Sequence, residues 1–247
     1  MSYYVFDEKN FDSFDASRVS LEPYKVDSGP FRTSYFSVKY LDNDNEYRSI
    51  KIKTPVLTTP FGINFNQFDK LTCTLSVPEG KFHTFLERLQ ETLKQLICKN
   101  VQKYNPNYKS KTMSENEFDI LSVAFGMLRS REDKKYEDTI SFDITSPYTQ
   151  KFLTLFDSKA KRIPDVTFTP TDETFIGRHV PMRTELRASF IISSVCMYGE
   201  VKQRKYTIKK ELRQIFIVSQ PNNNNNCDFE PVEEEIEEDD ENGFCDF

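Results

Sequence analysis

The chain has 247 residues, 37% of them apolar, with 33 Lys plus Arg against 39 Asp plus Glu, 22 Phe, 12 Tyr and no Trp. That is enough apolar material for one large domain or two small ones, yet no run of about 18 apolar residues exists to cross a membrane, and the opening MSYYVFDEKN lacks the charged-then-apolar pattern of a secretory signal. Five widely spaced cysteines (Cys73, Cys98, Cys196, Cys227, Cys245) without a C-x-x-C argue against a disulfide frame or a zinc site and point to a reducing compartment, cytosolic or nuclear.

Residues 1 to 30 mix aromatics with acids and hold neither a period of 2 nor one of 3.6, which predicts an irregular arm packed on the domain. From Phe31 the pattern becomes alternation, with Phe36, Val38 and Tyr40 on one side and Tyr35, Ser37 and Lys39 on the other. After Asp42-Asn43-Asp44-Asn45, residues 46 to 53 alternate again, Ile50 and Ile52 against Tyr47, Ser49, Lys51 and Lys53. Two alternating runs joined by an Asx-rich turn predict a hairpin. Its outer face carries Tyr35, Lys39, Tyr47, Lys51 and Lys53. Rings interleaved with lysines suit a single-stranded nucleic acid, whose bases stack and whose phosphates are anionic, and equally suit a solvated strand face with gatekeeping lysines.

Pro55 and Pro60 break the next stretch and Gly62 permits a sharp turn. Residues 70 to 77 then alternate, with Leu71, Cys73, Leu75 and Val77 inward, and a helix follows on the apolar stripe Phe82, Phe85, Leu86, Leu89, Leu93, Leu96, Ile97 and Val101. His83 beside that stripe reads as structural. Residues 114 to 129 fit a helix capped by Ser114 and Glu117 or a strand over ILSVAF. Residues 139 to 145 and 150 to 156 predict another antiparallel pair turning at Ser146-Pro147. The stretch 157 to 183 reads as a partly basic loop, whose Arg178 and Arg183 join the hairpin residues as candidate strand contacts. Residues 185 to 198 and 205 to 218 are apolar on both sides, as central strands of a closed or covered sheet would be.

Two histidines, His83 and His179, without metal spacing, and the absence of a phosphate loop, a dinucleotide fingerprint or a nucleophile elbow, leave no reaction, metal or cofactor in view. Asp42, Asp44 and Glu46 start like a calcium loop, but Tyr47 stands where Gly is required and Lys53 where Glu is required. The reading is of a protein that is not an enzyme.

Residues 220 to 247 change character. An Asn run forms a solvated tether, and from Asp228 eleven acids follow without a Lys or Arg, too self-repelling to fold. Removing those acids leaves 33 cations against 28 anions, so residues 1 to 227 carry a formal +5. A mildly basic body with an acidic tail points to a polyanion-binding domain whose tail can occupy the same surface. Asp239, Asp240, Glu241, Phe244, Asp246 and Phe247 form an acidic, Phe-ended segment able to anchor a basic partner.

Two features resemble the podophage-type single-stranded DNA-binding proteins that recur in nucleocytoplasmic large DNA viruses: the block SIKIKTPVLTTPFGI, Ser49 to Ile63, and the flexible linker to an acidic tail ending in Phe247. That resemblance implies a mainly β, OB-fold-like barrel with an inserted helix over residues 31 to 219, DNA on its basic aromatic surface, and a tail (220 to 247) that contacts replication proteins such as a DNA polymerase and competes with DNA. It implies work in replication, repair and recombination inside an infected cell, without a membrane partner, and leaves homo-oligomerisation open. Against it stands an acidic-tailed interaction or virion component that binds no nucleic acid.

Overall fold

The computed structural model describes residues 2–26, 33–106, 108–122, 125–130, 136–199 and 204–221. Strand β1 (Tyr3–Phe6) is followed by two single 3-10 turns, Phe11–Ser13 and Ala16–Arg18, and by β2 (Val19–Val26). The predicted hairpin is β3 (Ser34–Leu41) and β4 (Tyr47–Lys53), followed by β5 (Leu57–Thr59), β6 (Ile63–Phe65) and β7 (Leu71–Val77). Helix α1 (Lys81–Lys99) runs on into α2 (Val101–Tyr104), and α3 (Glu115–Leu121) leads to β8 (Asp138–Asp143). Then come α4 (Pro147–Phe152), β9 (Thr154–Phe156), β10 (Arg162–Ile163), α5 (Ile176–His179) and the two long strands β11 (Thr184–Tyr198) and β12 (Lys205–Ser219). The fold is mainly β with a long inserted helix, as the periodicities predict.

Two local expectations change and one open alternative is resolved. The N-terminal stretch is not irregular: β1 pairs in parallel with β4, Tyr3 beside Ser49 and Phe6 beside Ile52, and Phe6, Phe11 and Phe14 are buried. Four paired residues are too few for an alternation to show, and the rings at 11 and 14 are spaced by 3-10 turns rather than by a strand. The ambiguous stretch begins as a helix, because Ser114 Oγ accepts the Glu117 N–H and caps α3. Ser146-Pro147 does not turn a hairpin. Proline's fixed φ and missing N–H suit the first turn of a helix, so residues 147–152 coil into α4; β8 pairs with β7, and β9 pairs in parallel with β12.

β11 organises the main sheet. One of its edges is paired along its length by β12; the other is shared in succession by β5, β4 and β3. β3 and β4 are antiparallel to each other, and both are antiparallel to β11. No flat sheet permits three mutually antiparallel neighbours, so the strands must cross steeply and the sheet must coil toward a barrel. A bulge supplies the bend. Ile192 is opposite Lys210 and Ser194 opposite Lys209, which leaves Ser193 as the extra residue between the β4 and β3 pairings. Arg213 is extra in the same way on β12, between Leu212 and Gln214.

The inner face of this coiled sheet carries the core. β6, β7 and β8 form a second sheet packed against it, Phe142 meeting Phe190 at 4.9 Å. Beside it α1 lays Phe82 and Phe85 on Phe6, Phe11 and Phe14, with ring centroids 4.9–5.5 Å apart, and Arg88 donates to the Phe14 carbonyl at 2.8 Å. His83 is structural, its ring 2.9 Å from the Asp138 carboxylate. Gly62 makes the predicted sharp turn: φ is +67°, and a Cβ there would lie 2.6 Å from the Val180 carbonyl. The Thr-Pro pair ahead of it also has a job, since Thr54 exchanges two 2.9 Å bonds with Ala188, its N–H to the carbonyl and its Oγ from the N–H. That clamp ends β4 with Lys53 held against β11.

Candidate nucleic-acid interface

Side chains of adjacent strands in register share a face, so the pairing of the main sheet places its outward residues in rows. The first row runs Arg187, Phe216, Phe156, Arg162 across β11, β12, β9 and β10. The second runs Lys53, Ser189, Gln214, Thr154 across β4, β11, β12 and β9. The third runs Val5, Lys51, Ile191, Glu211, and beyond it Tyr3, Ser49 and Lys39 line up on β1, β4 and β3. Past the β11 bulge the same face continues with Ser37, Ser194 and Lys209, then Tyr35, Cys196 and Thr207.

The floor of this face is small and buried: Ser189, Ile191, Ser194 and Cys196 are each less than 9% exposed. Its walls are long side chains, with Lys53, Arg187, Lys209 and Gln214 exposed and Phe156, Phe216, Lys39 and Lys51 half-buried. The result is a shallow channel with cationic and aromatic sides. In its first row two Phe residues stand in register between two Arg residues, over a span of about 14 Å at roughly 4.8 Å per strand.

Positive charge converges in the middle. Lys51 is held below the ordinary lysine range, first by burial and then by the charges of Lys53 and Arg213. The Lys51 amine also lies 6.0 Å from the centre of the Tyr3 ring. Because Arg213 occupies a bulge, it reaches sideways over the Phe152 ring at 5.1 Å and takes Glu211 at 2.5 Å. Glu211 therefore offsets one cation of the channel. Lys39 donates to Ser49 Oγ at 3.1 Å, and Tyr35 hydrogen-bonds the Cys196 thiol, whose pKa burial raises despite Lys209 and Tyr35.

The five hairpin residues, Tyr35, Lys39, Tyr47, Lys51 and Lys53, do fall on one face. Tyr47 is 54% exposed at the hairpin end, whereas Tyr35 lies on the channel floor across from Cys196. Arg178 and Arg183 are elsewhere. Arg178 belongs to α5, whose neighbour is β6 of the small sheet, and Arg183 lies just before β11 at φ +64°, its N–H donating to the Thr59 carbonyl. The tail residues Asp239, Asp240, Glu241, Phe244, Asp246 and Phe247 lie outside the described residues. Sequence reasoning missed Tyr3, Arg162, Arg187, Arg213, Phe156 and Phe216. The alternation of Arg187 with Ser189 was available as a signal, but the bulges hid which residues of β12 share their face.

Among the described residues no cluster of three or more His, Cys, Asp or Glu is placed to hold a metal ion, and no described helix is long and apolar enough to cross a membrane.

No family model and no curated protein matches this chain. Among solved structures it is similar to the single-stranded DNA-binding protein from bacteriophage Enc34, with a TM-score of 0.43 and 11% identity over 84% of this chain and 95% of that one. A C-terminal truncation of the same phage protein gives a TM-score of 0.42 and 11% identity, over 82% of this chain and 96% of that one.

Proposed function

We propose that this protein binds single-stranded DNA without strong sequence preference, along the outer channel of the main sheet. The observation that carries the reading is the pair of rings, Phe216 and Phe156, set between Arg187 and Arg162 and continued by Lys53, Lys51 and Arg213. Rings give any base a stacking surface, and the cations follow the phosphates, so neither needs a particular sequence. Duplex DNA hides its base faces and forfeits the stacking. The reading requires no reaction, cofactor or metal.

Within it, the podophage-type resemblance gives the cellular role: coating exposed strands in replication, repair and recombination of a viral genome inside the host cell. The acidic Phe-ended tail recruits a basic replication partner such as a polymerase and competes with DNA for the channel. Arg178 and Arg183 extend the path toward the small sheet for longer strands.

Fluorescence anisotropy with a labelled oligo(dT) against a duplex of equal length tests the reading. Oligo(dT) is expected to bind more tightly, with and without EDTA at matched ionic strength. Lys51→Ala and Lys53→Ala should each lower the salt slope by about 0.7 in d log K/d log[salt], and Tyr47→Ala should cost roughly 1–3 kcal/mol with the slope unchanged if its ring carries a base. Equal affinity for oligo(dT) and duplex would refute it.

A further inference from the structure

One end of the channel deepens into an open cleft of about 500 Å³, walled by Asp7, Glu8 and Lys9 on one side and by Phe156 and Ala160 on the other. That volume lies in the range of small-molecule sites, roughly 300–1,000 Å³. Its base is the second row of the face: Ser189 sits between Lys53 and Gln214, and Arg187 and Phe216 are the next residues out. Ser189 is 6% exposed and its hydroxyl has no hydrogen-bond partner among the described residues. Burying a hydroxyl unpaired costs about 1–3 kcal/mol, so this one is an unfilled acceptor and donor just beneath the floor of the cleft.

The mouth is held by a weak contact. Arg187 meets Glu8 at 3.8 Å with both side chains more than half exposed, a pair worth about 1 kcal/mol or less. A phosphate is a better partner for a guanidinium and can take two of its N–H groups. The far wall is firm, because Asp157 accepts the N–H groups of Lys159 and Lys161 at 2.9 and 2.8 Å and so fixes the β9–β10 turn that carries Ala160.

We infer that this cleft takes one unpaired nucleotide turned out of the bound strand, its base against Phe156 and Phe216 and hydrogen-bonded to Ser189 Oγ, its phosphate on Arg187 and Lys53 in place of Glu8. The inference rests on the single-strand reading of the face and deepens it. Elsewhere in the channel a strand lies on the surface and can slide; here one base sits down in a cleft, which pins the register and excludes any base still paired. Glu8 occupies Arg187 in the free protein and is the group the incoming phosphate displaces.

The test uses the full chain with oligo(dT) carrying a single 5-iodouracil as photo-crosslinking probe, alongside binding to oligo(dT) and to a duplex. The expected result is a crosslink mapped to Phe156 or Phe216, an oligo(dT) affinity about fivefold weaker in Ser189→Ala, the weight of one neutral hydrogen bond, and an affinity about two- to fivefold stronger in Glu8→Gln at low salt. If oligo(dT) and duplex bind alike, the single-strand reading falls and takes the cleft with it. If oligo(dT) is preferred but crosslinks map only to Tyr3, Tyr35 or Tyr47 and Ser189→Ala binds as wild type, the cleft inference is overturned and the channel stands.

Discussion

Lys210 shows what a single residue costs this sheet. It is in register with the inward Ile192, so its chain enters the core side of β12, and its amine donates to the Met127 carbonyl at 3.3 Å. Burial, and then the nearby Arg129 charge, push its pKa down to about 8. The unfolded chain keeps an ordinary lysine, which binds its proton up to about pH 10.4. Below pH 8 both states are charged, and folding bears the full penalty of burying that charge; between pH 8 and about 10.4 the folded state has released a proton that the unfolded state retains, so stability climbs with pH. Lys210→Met keeps the length of the side chain and removes the charge. It is expected to be more stable than wild type at pH 7, by on the order of 1–3 kcal/mol, with the advantage shrinking toward pH 10 in urea titrations of both proteins. An advantage that stays constant over that range would mean packing rather than charge.

Among the elements, the N-terminal segment is part of the core. β1 closes the edge of β4, and Phe6, Phe11 and Phe14 join Tyr40, Phe82 and Phe85 in one aromatic cluster, Phe6 meeting Tyr40 at 5.0 Å and Phe14 meeting Phe85 at 5.5 Å. Deletion of residues 1–15 therefore should not trim an appendage. It removes three buried rings, each worth about 3–5 kcal/mol on truncation to Ala, against a typical total stability of about 5–15 kcal/mol. Such a chain is expected to fail to fold, shown by loss of the cooperative thermal transition; a variant melting within a few degrees of wild type would return the segment to the status of an arm. The same elements explain what the sequence made legible. Strict alternation in β3, β4 and β7, and the apolar stripe of α1, carry their own periods. The wide face was only half legible, because Lys39, Lys51 and Lys53 follow the alternation of their strands whereas Arg213 sits in a bulge and Phe156 in a three-residue strand, and neither position has a period to read. Ser146-Pro147 misled for a similar reason: a Ser-Pro pair begins a helix as readily as a turn, and the partner strands that decide between them are distant in sequence.

At the scale of the molecule, charge is divided between body and tail. Residues 1 to 227 carry a formal +5, and the eleven acids from Asp228 onward are tethered to it by an Asn-rich linker. If the tail competes with DNA for the channel, a short tether keeps it at high local concentration there. Truncation after Gln220 is then expected to tighten oligo(dT) binding at low salt, with the gain fading as the Debye length falls from about 30 Å at 0.01 M to about 8 Å at 0.15 M. Removing Phe247 alone should leave DNA affinity almost unchanged and weaken binding of the basic partner proposed for the tail, since one apolar anchor can carry much of an interface. Affinities of full-length and truncated protein that match at every salt concentration would show that the tail does not compete.

The shared edge of β11 also fixes an order of events during synthesis. β3, β4 and β5 all dock on a strand that begins only at Thr184, and β12, which covers its other edge, ends at Ser219. More than half of the sheet is thus made before the strand that unites it, and for that interval the β3–β4 hairpin is held by its local turn, by the β1 and β2 pairings and by ring contacts such as Phe36 on Tyr104, without its β11 partner. Pairings this distant in sequence place the chain among slow folders, in the range of milliseconds to seconds, with strand edges open meanwhile. Ribosome-bound chains stalled before Thr184 is exposed should be cut readily by protease, and protection should arrive in one step once Ser219 has cleared the exit tunnel. Delay in reaching that point, rather than weakness of the finished sheet, would then govern how much of this protein a cell recovers in usable form.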